Sequence, residues 1–91
     1  MDIERVVVLS TAHVSEDTAT KLDNNRLKIT VINMKYGWFI PVDEYNLTQS
    51  KDDGFPTELH NLMHMAKDMD CQWLHLDSAG NTVSWLPTYD W

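Results

Sequence analysis

The stretch Leu27-Lys28-Ile29-Thr30-Val31-Ile32-Asn33-Met34-Lys35-Tyr36-Gly37-Trp38-Phe39-Ile40-Pro41-Val42 decides the reading of the fold. Leu27, Ile29 and Val31 alternate with Lys28 and Thr30, the pattern of a half-buried strand over residues 27–34. Lys35-Tyr36-Gly37 fits a tight turn, because glycine takes positive φ without a Cβ clash. Trp38, Ile40 and Val42 then share one face of a third strand. Pro41 has no N–H to donate, so this strand is expected at a sheet edge or with a bulge.

Upstream of this hairpin, Val6-Val7-Val8-Leu9 is continuously apolar, which suits a central or doubly covered first strand within Glu4–Thr11. Ser15 is a good N-cap, followed by Glu16 and Asp17 where the helix dipole favours acids. Val14 and Ala19 stand at staple positions, so a helix is predicted over 16–23, ending at Asn24-Asn25. Downstream, Asp43–Phe55 is polar and reads as a surface loop. Pro56 opens a second helix, in which Leu59, Leu62, Met63 and Ala66 fall at i, i+3, i+4 and i+7. Cys71–Asp77 reads as a fourth strand, Ser78-Ala79-Gly80-Asn81 as a turn, and Thr82–Leu86 as a fifth strand.

The element order is β-α-β-β-α-β-β in one α+β domain spanning residues 1–91. Its first six elements match the ferredoxin-like split βαβ plan, an antiparallel sheet with two helices on one face. The C-terminal hairpin strand would extend an edge. A small α+β sheet with another strand order would share the same element order.

Of 91 residues, 14 are Asp or Glu and 7 are Lys or Arg, a net charge of −7. The basic residues are scattered, which disfavours direct binding to nucleic acid or to an anionic membrane. The one cysteine, Cys71, excludes an intrachain disulfide, and no apolar signal core follows the charged start Met1–Arg5. A cytoplasmic location is expected.

Four kinds of candidate site stand out. His60 and His64 are spaced i, i+4, with Asp53, Cys71 or His75 as third ligands for a metal. The position after His60 is Asn61, so the zincin pattern is absent. No metal site or cofactor is expected. A small enzyme or ligand-binding domain would use His13, at the Ser10-Thr11-Ala12-His13 corner, near Cys71 and Asp43. No catalytic motif supports it, and the expectation is a non-enzymatic protein. Trp85, Tyr89 and Trp91 crowd the C-terminal end, and tryptophan and tyrosine are enriched at interfaces. The acidic pairs Asp43-Glu44 and Asp52-Asp53, with Asp68 and Asp70, could form a negative face for a basic partner.

Val8-Leu9-Ser10-Thr11-Ala12-His13, Gly37-Trp38-Phe39, Leu76-Asp77-Ser78-Ala79-Gly80 and Leu86-Pro87-Thr88-Tyr89-Asp90-Trp91 resemble small uncharacterised proteins carried by bacterial plasmids and prophages. The resemblance implies a mobile-element context and brings no catalytic residue. The reading is a protein-binding accessory factor of a phage or plasmid, an inhibitor of a host defence or nucleic-acid-handling protein. Its expected contact residues are Asp43, Glu44, Asp52, Asp53, Trp85, Tyr89 and Trp91. A homodimer is a further expectation for so small a core.

Overall fold

A computed structural model describes residues Met1–Trp91. β1 (Val6–Ser10) passes through one 3-10 turn (Thr11–His13) into α1 (Glu16–Asp23). β2 (Ile32–Met34) and β3 (Gly37–Pro41) form the hairpin; α2 (Glu44–Gln49), α3 (Thr57–Asp68) and β4 (Trp73–Asp77) follow. The single α+β domain, with helices packed on a sheet, is as the sequence implies. α1 has the expected bounds: Ser15 Oγ accepts the Thr18 N–H at 3.2 Å, and Asn25 beyond its end sits at φ 53°.

The strand order departs from the split plan. The sheet runs β1-β4-β3-β2, with β1 parallel to β4 and the other neighbours antiparallel. The split plan would seat β1 inside an antiparallel sheet; here β4 takes the inner place and β1 lies at an edge. Burial gives the reason. On the side away from the helices, Trp73 and His75 of β4 are half-buried, whereas their neighbours Val6 and Val8 of β1 are 41% and 49% exposed. A continuous apolar run therefore sits on an edge strand, not on the doubly covered strand it suggested.

Three further differences have local causes. The alternation over 27–34 yields a ladder only at Ile32–Met34. Leu27, Ile29 and Val31 do turn inward against the core, but their backbone is held by a side chain instead of a strand. Asn46 Oδ1 accepts the Thr30 N–H at 2.8 Å, and Asn46 Nδ2 donates to the Thr30 and Pro41 carbonyls at 3.0 and 2.8 Å. That asparagine belongs to α2, a helix inside the stretch read as loop; Asp43 Oδ1 caps it by accepting the Asn46 N–H at 2.8 Å. Pro41 ends β3 beyond the reach of β2, so β3 is an inner strand that tolerates it.

The fifth strand over Thr82–Leu86 does not form. The Val83 N–H is bound to His13, and the Leu86 N–H turns back onto the Val83 carbonyl at 3.1 Å. With those donors used, the segment wraps the end of β1 as irregular chain. α3 buries Leu59, Leu62, Met63 and Ala66 as its spacing requires. Together with Leu9, Leu22, Trp38, Ile40, Leu74 and Leu76 these build one core on one face of the sheet.

Candidate interaction surface

The opposite sheet face has no helix over it. Strand pleating sends Val6, Val8, Phe39, Trp73 and His75 away from the core, and Ile32 and Met34 join them through the hairpin register. One row crosses all four strands as Val8, His75, Phe39 and Ile32. The Phe39 ring lies 4.8 Å from the Trp73 ring and 5.0 Å from the His75 ring, an aromatic cluster at the centre of the face. Trp73 Nε1 donates to Glu4 at 2.8 Å, fixing the indole at the rim. Around the cluster, Val6, Val8, Ile32 and Met34 stay between 41% and 50% exposed. An apolar surface joined across four strands is the kind that marks a contact site.

His75 adds a polar group to this face. Its Nε2 is buried without a hydrogen-bond partner, although an Asp77 carboxylate oxygen lies 3.3 Å away. The separation suits an ion pair, but the alignment is wrong for a hydrogen bond.

The expected contact residues lie elsewhere. Asp43 caps α2 and Glu44 sits in its first turn. Asp52 and Asp53 occupy the turn after α2 and share a shallow cleft with Arg26 and Lys28. The two acidic pairs are thus separated by the length of α2, and the second has cations beside it. Trp85 is 66% exposed. The Tyr89 N–H donates to the Ala12 carbonyl at 2.8 Å, and Trp91 Nε1 donates to the Val14 carbonyl at 2.9 Å. These two residues fasten the C-terminal segment while part of each ring remains open to solvent.

His13 is buried with both ring nitrogens engaged. Nε2 faces the Val83 N–H at 3.0 Å and must accept, so Nδ1 carries the proton and donates to the Pro87 carbonyl at 2.8 Å. Cys71 precedes β4 and Asp43 follows β3, which puts both at the opposite end of the sheet from His13. The structure does not assemble these three residues.

The His60 and His64 rings lie 4.2 Å apart, tilted by 42°. His60 Nδ1 lies 2.7 Å from the Ser50 carbonyl and 3.0 Å from Ser50 Oγ, which is 3.4 Å from His64 Nε2. Burial, then the charges of His60 and Lys51, hold the His64 pKa below its ordinary value against the pull of Asp68. Cys71 lies in the core and His75 on the open sheet face, so neither joins this pair. No three His, Cys, Asp or Glu side chains are grouped to hold a metal ion. No helix is long and apolar enough to cross a membrane.

The profile of the C-terminal domain of a family of unknown function, DUF5983, matches residues 6–91. The chain belongs to the DUF5983 family. The DUF5983 match begins at Val6, the first residue of β1, and so takes in every strand of the sheet and the whole exposed face. No curated protein and no solved structure matches the chain.

The open face escaped the sequence reading, although a signal for it was present. Val6, Val8, Phe39, Trp73 and His75 alternate with the core set along their strands, so several strands are apolar on both sides. The helices cover only one of those sides.

Proposed function

We propose that this DUF5983 domain is a non-enzymatic protein-binding factor. In this reading it is carried by a phage or plasmid, acts in the cytoplasm and inhibits a host defence or nucleic-acid-handling protein. The observation that carries the binding role is the uncovered sheet face, where Phe39 packs between Trp73 and His75 amid exposed aliphatic side chains. Aromatic anchors within an apolar patch supply most of the energy in typical protein contacts. The net charge of −7 supports a basic partner, because it steers association with surfaces that otherwise hold phosphate. Asp52 and Asp53, exposed in the turn after α2, would add to that steering, and Trp85 offers a second aromatic contact. The mobile-element setting rests on the resemblance of the N- and C-terminal motifs.

The test is capture from a host lysate followed by work on the purified partner. The expected partner binds DNA or RNA by itself and loses that binding, by fluorescence anisotropy, when the domain is added. Phe39→Ala should weaken the inhibition at least tenfold, and Asp52→Lys with Asp53→Lys should slow association. Inhibition unchanged by Phe39→Ala in a folded domain would remove the sheet face from the reading. A partner whose nucleic-acid binding is unaffected would remove the inhibitory role.

A further inference from the structure

The edge of β1 is open over a defined length. The Arg5 carbonyl accepts from Trp73 N–H at 3.2 Å, so Arg5 points toward β4. Backbone groups alternate sides along a strand, which sends Val7 and Leu9 the same way and Val6, Val8 and Ser10 outward. The outward Ser10 N–H is already bound to the Asn81 carbonyl at 3.0 Å. Two residues are left, Val6 and Val8, each presenting an N–H and a C=O with no strand beside them. Native sheets commonly blunt such an edge with a charge, a proline or a bulge. Residues Val6–Thr11 contain neither a charged residue nor a proline.

We infer that β1 pairs with β1 of a second copy of this chain, antiparallel, about a two-fold axis at Val7. In that register Val6 of one copy opposes Val8 of the other, twice. Each opposed pair exchanges two N–H···O=C bonds, so all four donors and acceptors left open are used. Moving the axis to Val8 would set Val6 opposite Ser10, whose N–H is taken by Asn81. The contact is isologous, as a two-fold requires. Self-complementarity points to the same occupant: the two open residues, two positions apart, are matched one for one by the same two residues of a copy. Two chains of −7 repel, and they meet at the least cost along an uncharged strand. The exposed Val6 and Val8 side chains would pack across the joint, and the two open faces would become one continuous surface. This inference needs no host protein, and it stands or falls separately from the inhibitory role.

Sedimentation equilibrium of the purified chain tests it. The expected result is a reversible dimer that dissociates on dilution. Val8→Pro removes one outward N–H and leaves the β4 ladder alone, so it should give a monomer with an unchanged circular dichroism spectrum. Should Val8→Pro unfold, the charged variants decide. Val8→Lys should weaken the dimer at least tenfold. Val6→Glu together with Val8→Lys should restore it, because each introduced carboxylate then faces an introduced ammonium across the axis. A wild-type chain that stays monomeric at every concentration overturns the inference. So does a dimer indifferent to folded Val8→Pro, or one that the charge pair fails to restore.

Discussion

Val83 donates its backbone N–H to His13 Nε2 at 3.0 Å, a bond that joins the corner after β1 to the chain 70 positions later. The same ring holds the Pro87 carbonyl through Nδ1 at 2.8 Å. A histidine that resembles a catalytic base in sequence is thereby the pin of the C-terminal segment. His13→Ala removes both bonds and leaves a void where a fully enclosed ring stood. Two backbone groups that lose their partner and the lost packing of the ring together cost about 3 kcal/mol. For a domain of this size that lowers Tm by roughly 10–20 °C. Thermal unfolding checks the magnitude. Faster hydrogen exchange at the Val83 amide, with β4 amides less affected, checks that the loss begins at the pin.

Asn46 plays a similar part for the chain before β2. It is fully buried and spends its amide on Thr30 and Pro41. Asn46→Ala should destabilise by about 3 kcal/mol, since three backbone groups lose their partner and a fully enclosed side chain loses its packing. The segment from Leu27 to Val31 should then open before the rest unfolds. Limited trypsin digestion reads this directly: cleavage after Lys28 should accelerate at temperatures where the wild-type chain resists.

Local signals in the chain were legible and tertiary ones were not. α1 could be read because Ser15, Val14 and Ala19 act within a few residues of one another. α3 could be read because its buried positions repeat with the helical period. The place of β4 between β1 and β3 is written nowhere locally; it follows from the enclosure of Leu74 and Leu76 by elements far away in the chain. The same holds for the capture of Val83 by His13, which turned a plausible strand into a wrapped segment. α2 was hidden by its polarity: its buried residue is an asparagine, which a hydrophobic pattern does not count. The open sheet face was hidden for a related reason. Charge and aromatic content mark Asp52, Asp53 and Trp85 along the chain, while the open sheet face needs the knowledge of which side the helices cover.

Gly37 is required by close approach. A Cβ built there falls 1.8 Å from the Leu76 carbonyl oxygen and 2.8 Å from its carbon, both backbone atoms of β4. Neither can yield without breaking the β3–β4 ladder at the register Gly37↔Asp77. Gly37→Ala should therefore lie at the severe end of single substitutions, costing about 4 kcal/mol. The expected readout is loss of the cooperative unfolding transition or a midpoint in urea far below that of the wild type. Gly54→Ala is the contrast. Its φ of 83° strains an alanine, but nothing stands within 4 Å of the added carbon, and the cost should stay near 1 kcal/mol.

Acid should weaken the fold in two separate steps. Burial by itself would raise the Glu58 pKa. The Ser15 N–H at 2.9 Å and the Thr18 hydroxyl at 2.7 Å outweigh it and hold the carboxyl below its ordinary value. A carboxylate with a lowered pKa in the folded state stabilises above the unfolded pKa, and that contribution is lost as pH falls through the folded value. His64 is also lowered, first by burial and then by the charges of His60 and Lys51. In the unfolded chain it therefore takes up its proton at higher pH than in the fold, so stability declines as pH drops through the ordinary imidazole range. The first decline is expected between about pH 7 and 5 and the second below about pH 4.5. Urea unfolding across this range should show His64→Gln flattening the upper step alone. Glu58→Gln should cost about 1 kcal/mol at neutral pH and converge with the wild type at the acid end, because the protonated acid has lost its charge-assisted bonds. A Glu58→Gln difference that persists unchanged through the acid range would show that the carboxylate charge adds nothing to the cap of α1.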